Sequence, residues 1–183
     1  MKNTGRTFIC LLIAFILIIG GIAFGASKGW KAEAQDLEML YEKDGGLKNL
    51  LDLRAADAGN LLVVARRHLD KQDDRIIDLE DARNVLQGNG PLTEKYAANQ
   101  ALTEAVAALG DSLDNLPSLK ANTKDWNYVV SLTKALEAYA DGDAVRVYNE
   151  AVASYNQRME GSISGWIAGH LMGIPKAQPF AAK

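Results

Sequence analysis

The sequence predicts an all-α protein with an N-terminal transmembrane helix followed by an antiparallel up-and-down four-helix bundle with long helices. Three observations predict it. Residues 7–26 form an uncharged, apolar run of 20 residues. Beyond that run, apolar residues recur at helical spacing, and no stretch alternates with the period of two that a half-buried strand requires. Glycine and proline breakers divide the helical part into four segments.

The apolar run is long enough to cross a bilayer. At about 1.5 Å per residue it spans roughly 30 Å, the thickness of the hydrocarbon core. Residues 1–6 form a short basic segment before it, with Lys2 and Arg6. A cleaved signal peptide is the alternative, because Ala23-Phe24-Gly25 resembles a small-x-small cleavage site. The run exceeds the roughly 7 to 15 apolar residues of a signal peptide, so we expect a retained single-span anchor.

The distribution of charge around and beyond the anchor indicates the orientation in the membrane and the kind of partner. Lys28 and Lys31 follow the run, so the positive-inside rule is nearly tied. The N-terminal side carries no acid, whereas Glu33 soon follows on the other side, which favours an extracytoplasmic bundle. Beyond residue 31 the chain holds 16 basic and 23 acidic residues, a formal charge of −7, which argues against a nucleic-acid partner. The only cysteine, Cys10, lies in the apolar run, where we expect it to act as a small apolar residue.

The rest of the chain divides into a juxtamembrane stalk at 27–46, a bundle at 47–160 and an apolar, glycine-rich tail at 161–183. We expect the stalk to continue the transmembrane helix, with Trp30 at the level of the lipid headgroups. Four bundle helices are predicted, the first over 47–68, the second over 70–86, the third ending near 116 and the fourth over 123–160. Their expected inward residues are Leu50, Leu53, Leu61 and Val64; Ile76, Leu79 and Ala82; Leu102, Val106, Leu109, Leu113 and Leu116; and Trp126, Val129, Thr133, Leu136, Ala140, Ala144, Tyr148, Val152, Tyr155 and Met159.

The fourth helix contains an internal glycine. Its apolar series passes through Asp141-Gly142-Asp143 without losing helical spacing, so one long helix is expected. A glycine inside a helix costs on the order of 1 kcal/mol relative to alanine, which a long packed helix can absorb. A break at Gly142 is the alternative. Asn122 or Thr123 is expected to cap the start of this helix.

A Tyr-Asn dipeptide occurs twice, at Tyr148-Asn149 and Tyr155-Asn156, and an apolar tail with four regularly spaced glycines follows. Seven residues make two helical turns, so both tyrosines lie on one face and both asparagines on the adjacent face. Together with the paired arginines Arg66 and Arg67 and with the connection at 116–121, these features resemble the LemA family. The resemblance implies a membrane-anchored helical bundle and supplies no chemical activity.

The chain departs from the family pattern in three places. The turn at 70–75 lacks the proline that usually follows the paired arginines. Val145 stands three residues before the first tyrosine, where the family usually has arginine, and Arg146 follows it. Ser162-Ile163 stands where a phenylalanine-proline pair is expected. The chain is identified as a divergent member.

Two interpretations of the motif and of the tail remain open. The Tyr-Asn pairs either fix the packing of the helices or, with Arg66 and Arg67, form a binding face for a peptide, a polymer or a partner domain. The tail either folds back over the end of the bundle or forms an interfacial or partner-docking segment. The candidate docking residues of the tail are Trp166, Ile167, Leu171 and Phe180.

The sequence offers no recognisable catalytic or metal-binding constellation. Six acidic residues lie between Asp70 and Asp81, but basic residues are interleaved with them, which is typical of a solvated helix face with ion pairs. His68 and His170 are far apart in sequence and lack zinc-ligand spacing. No nucleophile elbow or phosphate-binding loop is present. We therefore expect no enzyme activity, no catalytic residue, no metal and no cofactor.

The expected role follows from this architecture. We expect a scaffold, assembly or interaction module at the cell envelope whose partners are the membrane and other membrane or envelope proteins, with a homo-oligomer left open. The alternative is a membrane-tethered sensor, or a ligand- or peptide-binding bundle. Asp57 and Thr133, polar residues at core positions, would suit a pocket of that kind.

Overall fold

The computed structural model describes residues 3–140 and 142–181, with side chains from Leu11 onward apart from that gap. Lys2 and Asp141, and the side chains of Arg6 and Cys10, lie outside the described residues. The helices are α1 (Asn3–Glu42), α2 (Leu47–His68), α3 (Asp74–Gln87), α4 (Leu92–Asp114), α5 (Pro117–Ala121), α6 (Thr123–Ala138), α7 (Asp143–Gly161) and α8 (Ile163–His170). No strand occurs among these residues, so the all-α class is confirmed.

The chain divides into two compact units. The long-helix unit consists of Met1–Met39 and Glu150–Ala177, and the bundle unit consists of Leu40–Asn149 and Gln178–Lys183. The division falls within α1 and within α7, so each of these helices contributes to both units.

In the long-helix unit, α1 is apolar and exposed over most of its N-terminal half. Between Leu11 and Phe24 its large apolar side chains are exposed by 44% to 69%. One described helix, near the N-terminus, is long and apolar enough to cross a membrane. The helix continues beyond the apolar run, as expected, but α1 ends at Glu42, before the end of the predicted stalk at residue 46.

Beyond the apolar run, α1 takes part in a small core. Trp30 packs with Tyr155, Met159, Ala168 and Ile174. Its ring meets that of Tyr155 edge to face, with 5.4 Å between the centroids. Trp30 is only 7% exposed and is covered by protein, and its expected position at the level of the lipid headgroups stays a prediction.

In the bundle unit, α2, α3, α4 and α6 pack side by side: α3 contacts α2 and α4, and α6 contacts the same two helices. Short connections make consecutive helices antiparallel. Asp73 caps α3 and Asn122 caps α6, each accepting a backbone N–H with its side chain. The expected inward residues of the second and third helices are confirmed except Leu116, which is half-buried.

The inward face of α2 agrees with the prediction at Leu61 and Val64 and differs from it at Leu50 and Leu53. Leu53 is 42% exposed and Leu50 is half-buried, whereas the buried residues are Leu47, Leu51, Arg54, Ala55, Ala58, Leu61, Leu62, Val64 and Ala65. The physical reason is Arg54, which is fully buried. Arginine is rarely buried, so a prediction from the spacing of apolar residues does not include Arg54 and misses the face on which it lies.

The predicted long fourth helix is also wrong, and the break at Gly142 is observed. α6 ends at Ala138 and α7 begins at Asp143. A side chain at Gly142 would lie 3.2 Å from two carbons of Leu50, so glycine permits a close approach there. Asp143 favours a new helix start, because a carboxylate stabilises the first turn. Six members of the predicted inward series are buried, namely Val129, Leu136, Tyr148, Val152, Tyr155 and Met159. The other four, Trp126, Thr133, Ala140 and Ala144, are only half-buried, and the series missed the buried Asp125 and Leu132.

Candidate functional site

The two asparagines of the repeated Tyr-Asn pair hold the C-terminal tail. In the bundle unit, Asn149 Oδ1 accepts the Phe180 N–H at 2.8 Å and Nδ2 donates to the Phe180 carbonyl at 3.0 Å. In the long-helix unit, Asn156 makes the same pair of bonds with Ala177, each at 2.9 Å. A side-chain amide matches a backbone peptide group in donor and acceptor, so each asparagine satisfies one extended residue of the tail.

The two tyrosines are buried beside these bonds. Tyr148 donates its hydroxyl to the Gln178 carbonyl at 3.2 Å, and its ring lies 5.9 Å from that of Tyr41. Tyr155 is 1% exposed. Burial raises the pKa of the Tyr148 phenol, and Tyr41 adds to the increase. Burial also raises the pKa of the Tyr155 phenol, with a further contribution from the Glu33 carboxylate. Both phenols therefore remain neutral at physiological pH.

The four residues of the two Tyr-Asn pairs make their contacts within the chain itself. All four Tyr-Asn residues are engaged in packing or in hydrogen bonds, and the peptide segment they bind is the chain's own tail. The seven-residue spacing predicted a shared face. It did not predict that the tail would run along that face.

The paired arginines connect helices. Arg66 donates to Glu80 Oε2 of α3 at 2.6 Å. Arg67 donates to Asp125 Oδ1 of α6 at 2.9 Å, and His68 Nε2 lies 3.1 Å from Asp125 Oδ2. Asp125 is only 5% exposed, so its carboxylate depends on these partners. The structure shows Arg66 and Arg67 in ion pairs between helices. It does not test their predicted part in a binding face, which stays a prediction.

A polar centre that the sequence interpretation missed lies inside the bundle unit. Arg54, which is fully buried, donates to Asn99 Oδ1 at 2.7 Å and to Thr103 Oγ1 at 2.9 Å. By contrast, the Thr133 hydroxyl bonds to the backbone of its own helix, and Asp57 is only half-buried. The signal that was available is the position of Arg54 three residues after Leu51 and four before Ala58, in step with the true apolar face.

An open groove lies between α3 and α4. It has a volume of about 740 Å³. Small apolar side chains form its floor, mainly those of Ala82, Ala97, Ala98, Ala101, Ala105 and Ala108. Four carboxylates, those of Asp78, Asp81, Glu94 and Glu104, line it, and no lysine or arginine is among the lining residues. Two acids of the cluster predicted to be a solvated face therefore belong to this groove.

The tail residues proposed for docking fall into two groups. Trp166 is 53% exposed and Leu171 is 60% exposed, while Ile167 is half-buried. Phe180 differs from expectation, because it is fully buried and meets the Tyr96 ring edge to face at 5.4 Å. The Asn149 bonds hold its backbone within the bundle unit.

Comparison with known proteins agrees with this geometry. The model of the LemA family matches residues 45–183, which include every bundle helix, both Tyr-Asn pairs and the tail. The chain belongs to the LemA family. No curated protein and no solved structure was found to match the chain.

The LemA match covers the bundle and the tail but not the apolar N-terminal helix. It begins at residue 45, after α1 ends at Glu42, so the apolar helix lies wholly outside the matched region. The paired arginines, Arg54, the α3–α4 groove and the asparagine bonds all lie inside it. The three departures from the LemA pattern did not prevent the match.

Proposed function

We propose that this LemA-family protein is a non-catalytic, membrane-tethered scaffold that acts by contact at the cell envelope. The observation that carries the proposal is the α3–α4 groove. Its apolar floor includes three exposed alanines, Ala97, Ala101 and Ala108, and the charged residues that line it are all acidic. That combination suits a partner protein that presents an amphipathic helix with basic flanks, since apolar anchors give such a helix its affinity and charge gives it orientation.

The dimensions of the groove support a helical partner. Alanine projects one methyl group, so a helix lying on a floor of alanines can approach closely. The exposed floor residues Ala97, Ala101 and Ala108 recur at four and seven residues along α4. This spacing follows the helix axis and makes the apolar floor continuous over about three turns.

The tether is α1. Among the described residues, its exposed apolar part is long enough to cross a membrane. We place the N-terminus on the cytoplasmic side, because Lys2 and Arg6 precede the span without any acid. Protease accessibility in right-side-out and inside-out vesicles checks this placement. A bundle cleaved only in inside-out vesicles would reverse it.

The docking proposal is tested by site-specific photocrosslinking in native membranes. A benzoylphenylalanine at Ala101 reports on the groove floor, and the same group at Ala107, exposed on α4 but outside the groove, is the matched control. We expect a discrete crosslinked partner at Ala101 and none at Ala107. Equal crosslinking at both positions, or at neither, would contradict a docking groove.

Charge reversal sharpens this test. The double change Asp81→Lys and Glu104→Lys should abolish the Ala101 crosslink, because both carboxylates line the groove. The matched control is Asp111→Lys, an exposed acid on α4 outside the groove. The crosslink should persist in that control. A crosslink that survives the double reversal would show that the acidic lining does not select the partner.

A further inference from the structure

We infer that α8 and the residues just after it form an interfacial membrane segment, which lies in the headgroup and acyl boundary of the bilayer beside α1. The inference rests on the proposed crossing of the membrane by α1. It goes beyond that proposal because it adds a second, non-spanning lipid contact with its own residues.

The two faces of α8 have an unusual distribution of side chains. The face toward the protein is made of small residues, with Gly165 and Ala168 buried. The face away from the protein carries the large residues: Ile163 is 81% exposed and Trp166 is 53% exposed. A helix that packed in water would bury its large apolar side chains and expose its small ones. The reversed pattern suits a helix whose outer surroundings are apolar.

The small face is required by a close contact with α7. A side chain at Gly165 would lie 2.1 Å from the Met159 carbonyl oxygen, so α8 can approach the backbone of α7 only with glycine there. Ser162 caps α8 by accepting the Gly165 N–H at 3.0 Å. The orientation of α8 is thus fixed by its own unit, and its large residues cannot turn inward.

The exposed apolar surface continues past the helix. Leu171 is 60% exposed and Met172 is 43% exposed. From residue 161 to residue 174 the chain contains no aspartate, glutamate, lysine or arginine. His170 stacks on Trp166, with 5.0 Å between the ring centroids. An uncharged, apolar surface that contains tryptophan, whose ring is amphipathic, is typical of interfacial segments.

The position of α8 along α1 identifies lipid as the occupant. Ala168 belongs to the same core as Trp30, and Ala26, the last residue of the apolar run, packs against that core. Trp30 lies four residues beyond Ala26, about 6 Å along the helix. α8 is therefore level with the end of the membrane span, within the roughly 5 to 10 Å depth at which interfacial helices lie.

Basic residues occur at the same level. Lys28 lies over the Phe24 ring, with Nζ 4.9 Å from its centroid, and Lys31 follows one turn later. Lysines at this height meet lipid phosphates. This arrangement favours a membrane surface over a second protein chain as the occupant.

The test uses the full chain in phosphatidylcholine vesicles with bromine at shallow or at deep acyl positions. The fluorescence of a Trp166→Phe variant is subtracted from that of the wild type, so that the remaining signal belongs to Trp166. We expect shallow bromine to remove most of this signal and deep bromine to remove less. Aqueous iodide should have little effect.

Each other outcome overturns the inference. Quenching by iodide alone would place Trp166 in water. Resistance to both quenchers would show that protein covers it, and crosslinking between copies would then identify a second chain. Alkaline carbonate extraction of the same vesicles tests α1 separately. Release of the protein by carbonate means that the tether proposal fails, whereas retention with no bromine quenching means that only the α8 inference fails.

Discussion

The amide group of Ala177 provides a direct test of how the tail is held. Its N–H donates to Asn156 Oδ1 at 2.9 Å, and its carbonyl accepts from Asn156 Nδ2 at the same distance. The tail from residue 174 to residue 179 has no regular secondary structure, so the protection of this amide depends on one side chain. Asn156→Ala removes both bonds at once.

The magnitude follows from these two bonds. A hydrogen bond within a protein contributes about 1 kcal/mol net, so their loss should lower the local free energy of opening by about 2 kcal/mol. Since about 1.4 kcal/mol corresponds to a tenfold change, the Ala177 amide should exchange roughly 30-fold faster. The helices of the bundle unit should keep their protection, because opening of the tail is local.

Hydrogen exchange with mass spectrometry on the detergent-solubilised full chain makes the measurement. Asn149→Ala is the companion variant, and it should accelerate Phe180 more than Ala177, because Asn149 bonds only to Phe180 in the tail. Asn127→Ala, at an exposed asparagine of α6, is the matched control and should change neither amide.

Two results would refute the reasoning. If Ala177 exchange is unchanged in Asn156→Ala, the tail is held by its apolar contacts or by the ion pair of Lys176 with Glu160, and the asparagine is dispensable. If all helices lose protection together, the bonds support the whole fold and the tail does not open by itself.

Three further predictions concern stability. Gly165→Ala should lower the melting temperature, because its methyl group would collide with Met159, whereas Gly161→Ala, with open space around it, should leave the temperature unchanged or raise it. Equal melting temperatures would contradict the close contact. Arg54→Met should lower the unfolding free energy by about 3 kcal/mol in urea titrations, because the buried Asn99 and the half-buried Thr103 lose their donor; an unchanged midpoint would show that the polar centre is not needed for stability. Tyr148 has a raised pKa, so its burial contributes stability that is complete below the unfolded pKa of about 10 and is lost as the pH rises through the folded pKa. The alkaline decrease in melting temperature should therefore be smaller in Tyr148→Phe, and an identical pH profile would argue against this.

The sequence predicted most of the fold because the fold depends on periodicity. The apolar residues of the second and third bundle helices recur at helical spacing, and burial follows that spacing. Prediction failed at Arg54, because a charged residue in the inward face contradicts the rule that such residues are exposed. It also failed at Gly142, where spacing alone cannot tell a continuous helix from two helices that keep the same buried side.

For the candidate sites, the sequence determined which residues share a face and which segments are apolar. It showed that the two tyrosines share a face, that the tail is apolar and that acidic residues gather in the second bundle helix. The tertiary structure alone decided the rest: that the asparagines bind the chain's own tail, that Phe180 is buried while Trp166 is exposed, and that acids from two helices line one groove. The physical reason is that local pattern reports the environment a residue requires, while the partner that provides it comes from a segment distant in sequence.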